Sequence, residues 1–155
     1  MKISDDYSHR NALFILSSIP DIYNEIEIVI TKCEYSFEKH NTELIKKYLS
    51  SEFNKLGWAD RVKINKKSNL TINFIKDKIG LCIQLGNVAR TYADLLKISY
   101  LVQQKGIKAG IIIVPGEKES KLLGANYANF ERLVREVTLF SEIIEAPILI
   151  ISLCS

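Results

Sequence analysis

Asn73, Cys82 and Gln84 are spaced like the polar members of a hydrolytic metal site, yet the first two have the wrong chemistry for it. Cutting a phosphodiester with Mg²⁺ needs hard oxygen ligands for the ion and a group that orients the attacking water. A β-hairpin supplies these economically. An acid sits near the end of one strand, and the next strand offers a second acid followed two positions later by another polar residue. Period-2 geometry turns these side chains toward one cleft. Within the stretch from Thr71 to Asn87, Asn73 and Cys82 stand in the two acid places and Gln84 in the third. Asn keeps the shape of Asp without its charge, and a short, soft thiol disfavours Mg²⁺. With both anions gone, the site is not expected to hold the ion, and no other cofactor is expected.

The elements that must position these residues fall into three zones. Up to about Gly57 the chain reads as helical: a stub at Asn11 to Leu16 ending near Pro20, then a helix capped by Asp21 with Ile22, Ile26, Val29 and Ile30 on one face. Glu25-Ile26-Glu27-Ile28 also alternates as a strand would. Asn41-Thr42-Glu43 opens a third helix, stopped by Gly57. The second zone is β-rich. Arg61 to Asn65 alternates, Lys66 to Asn69 turns, Leu70 to Phe74 resumes, and Asp77-Lys78 turns again into the apolar strand Ile79 to Leu85. The third zone carries a helix capped by Thr91 with Asp94 three residues on, and a buried strand at Ile111 to Val114. A helix from about Tyr127 to Val137 and a last strand at Pro147 to Leu153 follow. The order α-α-α-β-β-β-α-β-α-β predicts an α/β chain with a mixed sheet between helices.

At 155 residues, 47% hydrophobic and 25% charged, the chain is expected to form a single domain over 1–155 with a full core. A net charge of +3 permits an anionic partner without requiring one. The cysteines, Cys33, Cys82 and Cys154, are distant from one another, and His9 and His40 have no partner at ligand spacing, so neither a disulfide framework nor a zinc site is expected. The opening residues have no apolar signal region and no run is long enough to span a bilayer, so no membrane association and a cytoplasmic location are expected.

The chain resembles the BglII-type restriction endonucleases, including BstYI-like enzymes, within the PD-(D/E)XK nuclease superfamily. The family runs Ile-Asp-Phe, a basic turn, Glu-x-Gln and a short segment ending in Asn. Here the sequence has Ile72-Asn73-Phe74, Lys76-Asp77-Lys78, Cys82-Ile83-Gln84 and Leu85-Gly86-Asn87. Asn73 falls on the metal-binding Asp, Cys82 on the metal-binding Glu, and Gln84 on the Gln that replaces the superfamily's usual Lys. Tyr7-Ser8-His9 with Asn11, Glu25-Ile26, Leu56-Gly57-Trp58, Asp94-Leu95-Leu96-Lys97, Val114-Pro115, Ala125 to Glu131 and Ala146-Pro147-Ile148 are similar to family landmarks. The resemblance implies a restriction-endonuclease-like α/β core, a homodimer across a two-fold target, and double-stranded DNA as partner. The chain ends soon after Leu153, while BglII-type enzymes continue, so a less complete grip on the duplex is expected.

Each residue also has a plainer reading. Cys82 is most simply a buried core thiol. Gln84 can equally bond the hairpin, and Asn87 can simply sit in a turn, although in the family that segment reaches toward bases. Arg90 is a phosphate contact or a helix-end surface charge. Lys55, Arg61, Lys63, Lys66 and Lys67 could follow a phosphate backbone, or simply keep an edge hairpin solvated. Trp58 and Tyr127 are expected to pack. Replacement acids would have to come from Glu25 or Glu27; Asp77 lies roughly 13 Å of extended chain from Asn73. Three functions follow. The first is a degenerate endonuclease-like protein that binds DNA without cutting it. The second is a Mg²⁺-dependent type II endonuclease with a rearranged site. The third is a structural module that binds protein.

Overall fold

Alternation in the apolar strands fixes the architecture. In the computed structural model, which describes residues 1–38 and 41–155 and so leaves His40 outside, twelve elements follow in order. They are β1 (Lys2–His9), α1 (Ala12–Ser17), α2 (Ile22–Thr31), α3 (Thr42–Lys55), β2 (Ala59–Lys63) and β3 (Thr71–Lys76). Then come β4 (Ile79–Ile83), α4 (Ala89–Gln103), β5 (Ala109–Pro115), α5 (Glu117–Leu123), α6 (Phe130–Leu139) and β6 (Ile148–Cys154). The six strands form one sheet in the order β1-β6-β5-β4-β3-β2. β4, β5 and β6 are mutually parallel; β1 and the β2-β3-β4 meander are antiparallel. This is the mixed sheet flanked by helices that the sequence predicts.

The central parallel strands are buried on both faces, which is why they read as continuous apolar runs rather than alternating ones. Leu81, Ile111, Ile113, Leu149 and Ile151 face a core built with α1, α2 and α3. Cys82, Ile112, Ile148 and Ile150 face a second core built with α4 and α6. Both crossovers between parallel strands, through α4 and through α6, therefore lie on the same side of the sheet.

Close approach of α4 depends on a missing side chain. A Cβ added at Gly110 of β5 would stand 2.5 Å from Ile98 Cγ2 and 2.7 Å from its Cδ1, so glycine is what lets α4 sit down on the sheet.

Several local expectations are corrected. Lys2 to His9 is an edge strand paired with β6, not part of a helical zone. Its only partly buried side chains are Met1's neighbours Ile3 and, further on, Tyr7, and a register shift between Ile3 and Asp5 blurs its alternation. The short α5 has no counterpart in the predicted order. α4 begins at Ala89 rather than at Thr91, whose hydroxyl bonds back to the Val88 carbonyl at 2.6 Å from inside the helix. Asp94 is thereby freed from any capping role. Asp21 precedes α2 but makes no side-chain cap bond. The sixth helix starts at Phe130, capped by Asn129 Oδ1, which accepts from the Arg132 amide at 2.9 Å. Glu25 to Ile28 is helical: Ile22, Ile26, Val29 and Ile30 are buried at helical spacing, and that packing outweighs the short alternating stretch. The Asp77-Lys78 turn has positive φ at both residues, 48° and 64°, as a two-residue hairpin of the right twist requires.

Candidate functional site

The β3-β4 ladder stops at Phe74–Leu81, and the site lies where the two strands part. Ile72 belongs to the core under α4, while Phe74 belongs to the core under α2 and α3. Strict alternation would put both on one face, so the chain turns over at Asn73 and directs that side chain outward. The β2-β3 pairing also skips the facing pair Arg61 and Asn73, and Arg61 has a positive φ of 48°. Asn73 Oδ1 accepts a hydrogen bond from the Ile83 backbone amide at 3.0 Å, standing in for a ladder carbonyl. Asn73 is exposed, and its amide NH₂ bonds no protein acceptor among the described residues.

Two adjoining cavities, of about 360 and 430 Å³, meet at Asn73, Ile83 and Lys46. The first is closed by α3 and β2, with Lys47 and Arg61 on its rim; the second is closed by α4, with Gln84, Arg90, Asp94 and Lys97. Leu70, from the β2-β3 connection, overhangs the second.

Cys82 and Gln84 do face α4 together, as period 2 predicts. Cys82 is fully buried between Ile72 and the α4 side chains. Burial pushes its thiol well up, and the neighbouring Asp94 carboxylate adds to the effect against the opposing pull of Lys97 and the Asn73 backbone N–H. At neutral pH Cys82 is therefore a neutral thiol. Gln84 Nε2 donates to Asp94 Oδ2 at 3.2 Å, and Lys97 Nζ donates to Asp94 Oδ1 at 3.0 Å. Asp94, only 4% exposed, is thus a buried carboxylate at the cleft with a donor on each oxygen.

The residues present do not fit Mg²⁺. The Asn73 oxygen is already used by Ile83, Cys82 is a protonated sulfur, and both oxygens of Asp94 are held by donors, one of them an ammonium. Among the described residues no three of His, Cys, Asp and Glu are grouped to hold a metal ion.

The other residues singled out in the sequence lie apart. Glu25 is joined to Lys76 and, through its other oxygen, to the Trp58 indole at 2.9 Å; it lines neither cavity. Lys76 neighbours the β3-β4 turn, at the opposite end of the strand from the opening beside Asn73. Glu27 is exposed on α2, and Asp77 is in the hairpin turn. Asn87 Oδ1 accepts from the Ala89 amide at 2.8 Å, a turn role at the start of α4, and its backbone bridges to Tyr127. Arg90 lines the α4 cavity. Lys63, Lys66 and Lys67 are exposed along β2 and its turn. Trp58 is buried against Phe53, ring centroids 5.5 Å apart. The sequence marks Asp94 and Lys97 only as a cap partner and a family landmark. Their three-residue spacing on one helix was the available signal, but nothing local showed that they would face Cys82.

A sequence model described as restriction endonuclease BglII/BglIII matches residues 5–153. The chain belongs to this family. Among solved structures, BglII complexed with a DNA 16-mer superposes with a TM-score of 0.84 at 20% identity, covering all of this chain and 77% of that one. Free BglII superposes with a TM-score of 0.75 at 23% identity, covering 100% and 80%. These likenesses establish the BglII fold. No curated protein matches. The six-stranded sheet described above is therefore a BglII/BglIII-family sheet, and no helix in its described residues is long and apolar enough to cross a membrane.

Proposed function

We propose that this BglII/BglIII-family chain binds double-stranded DNA without cutting it. The observation that carries this reading is the chemistry at the two acid places. Asn73 is an amide whose oxygen completes the hairpin, and Cys82 is a neutral thiol sealed in the core. Neither presents an anion to a divalent ion, and the superfamily's mechanism requires two. The DNA-binding half of the reading is supported by the fold shared with a BglII structure solved on DNA and by basic side chains at the cleft and along β2. Asn87, Arg90, Lys63, Lys66 and Lys67 are the proposed DNA contacts, Asn73, Cys82 and Gln84 the degenerate catalytic places, and a homodimer of single-domain subunits the proposed assembly.

One observation favours a second reading, a Mg²⁺-dependent type II endonuclease with a rearranged site. Asp94 places a carboxylate beside Cys82 and Gln84, which Glu25 does not. A plasmid-nicking assay across Mg²⁺ and Mn²⁺ separates the two readings. Conversion of supercoiled plasmid above the buffer background, abolished in Asp94→Asn, would remove the first. Intact plasmid together with a retarded duplex in a gel shift is the expected result.

A further inference from the structure

We infer that the cleft at Asn73 has reversed its electrostatic preference, from a metal cation to the phosphodiester anion itself, which it holds directly and without a metal ion. This rests on the DNA-binding reading and specifies where and how the backbone is held.

Three observations converge. The first is the polarity of Asn73. Its Oδ1 is committed to the Ile83 amide, so the group it offers outward is the Nδ2 donor pair. An aspartate at that place would offer lone pairs to a cation; the asparagine offers N–H to an oxygen anion.

The second is a cation fixed beside it. Lys97 Nζ is held by Asp94 Oδ1, and Asp94 is in turn held by Gln84, so the ammonium is stationed at the cleft on a buried carboxylate rather than moving freely in solvent. Its side chain remains 19% exposed, enough to be touched by a ligand. A stationed ammonium beside a donor amide offers N–H groups to a phosphate oxygen from a fixed point, with less ordering cost on binding.

The third is the balance of charge around the two cavities. Five cationic side chains line them against three acidic ones. The pairs Asp94–Lys97 and Glu43–Lys46, the latter at 2.8 Å, cancel, which leaves Lys47, Arg61 and Arg90 against Asp60. Lys47, Arg61 and Arg90 make no ion pair among the described residues. They come from α3, β2 and α4, three separate elements that converge on one opening. A solvated surface stripe would lie along one element; convergence from three around a polar concavity is the arrangement of a binding site. A backbone phosphate resting on Asn73 Nδ2 would have Lys97 and Arg90 on one side and Lys47 and Arg61 on the other.

The test is fluorescence anisotropy of a labelled 20-base-pair duplex on the full chain, titrated over salt in EDTA and again in Mg²⁺. The wild type is expected to bind equally well in both. Lys47→Gln with Arg90→Gln, both at helix surfaces where the fold tolerates them, is expected to weaken binding about tenfold at low salt. It should also flatten the log K against log salt slope by about 2, near 0.9 for each lost phosphate contact. Lys97→Arg is expected to retain affinity and Lys97→Gln to lose it, with urea midpoints reporting whether the latter is folded. Asn73→Asp is expected to weaken binding in EDTA, because a carboxylate then faces the phosphate.

Wild-type binding that vanishes in EDTA overturns the inference. So does binding that is indifferent to the Lys47 and Arg90 changes but lost on changing Lys63, Lys66 and Lys67 together; in that case the chain still binds DNA, along the hairpin. An absence of salt-dependent binding altogether overturns both this inference and the DNA-binding reading.

Discussion

The side-chain oxygen of Asn73 lies 3.0 Å from the backbone nitrogen of Ile83, closing with an amide the gap at which β3 and β4 diverge. A side chain at the cleft is here part of the hairpin's hydrogen bonding.

Asn73→Ala is expected to cost about 1 kcal/mol, because the Ile83 amide loses its acceptor in a partly buried setting. Asn73→Asp should cost much less, since a carboxylate oxygen accepts the same bond. Urea unfolding of the two variants beside the wild type reads the difference directly.

Restoring both anions, Asn73→Asp with Cys82→Glu, is expected to recover metal binding and plasmid cleavage, while neither single change does so. Cys82→Glu alone buries a carboxylate next to Asp94 and should be strongly destabilised, by about 3 kcal/mol or more, whereas in the double variant a divalent ion neutralises it. Thermal unfolding with and without Mn²⁺ checks this. A double variant whose melting temperature ignores the ion would show that more than the ligands has been lost.

The fit of α4 onto β5 rests on Gly110. Gly110→Ala drives a methyl into Ile98 and should cost about 1–3 kcal/mol. Ile98→Val in the same chain should return part of that loss, and a double-mutant cycle measures the coupling. Because α4 carries Arg90, Asp94 and Lys97, the single variant should also weaken DNA binding if these residues form the contact.

Folding disfavours the Cys82 thiolate, since its pKa in the folded chain is raised by burial. Such a group contributes stability that is complete below the ordinary thiol value of about 8.5 and is lost as pH rises through the folded value. Urea midpoints at pH 7 and pH 10 should therefore differ more for the wild type than for Cys82→Ala; Cys33, raised in the same direction, contributes to both. Thiol reagents at pH 7 should label the half-buried Cys154 and leave Cys82 untouched in the folded chain.

Glu25 illustrates how a carboxylate in a suggestive family position can serve structure instead. It joins Lys76 and the Trp58 indole, tying α2 to β3 across the entry to β2. Glu25→Ala leaves the buried Trp58 indole N–H without an acceptor and leaves Lys76 with only the Leu56 carbonyl at 2.8 Å; it is expected to cost about 1–3 kcal/mol, with no change in DNA affinity at matched folded fraction.

Much of this was legible in the chain because the signals were local. Ile111 to Val114 and Ile148 to Ile151 are apolar at every position, as strands buried on both faces tend to be. The Asp77-Lys78 turn lies between two strands that pair with their immediate neighbours, so the hairpin follows from adjacency. β1 is not legible in the sequence, because an edge strand with Asp5 and Asp6 near its middle has no apolar period and its partner β6 lies at the far end of the chain.

The amino-acid sequence by itself determined the hairpin, the buried parallel strands and the absence of acid at residues 73 and 82, since each depends on residue type and spacing within a few positions. Only the tertiary structure decided what surrounds those two residues. The turnover of β3 at Asn73 arises from packing against two different cores. The meeting of Asp94 and Lys97 with Cys82 and Gln84 requires α4 to dock over Gly110, and the removal of Glu25 to Lys76 and Trp58 requires α2 to cross the hairpin's far end. Those contacts join residues from separate elements, and such contacts form only when burial of both faces of the sheet brings the elements together.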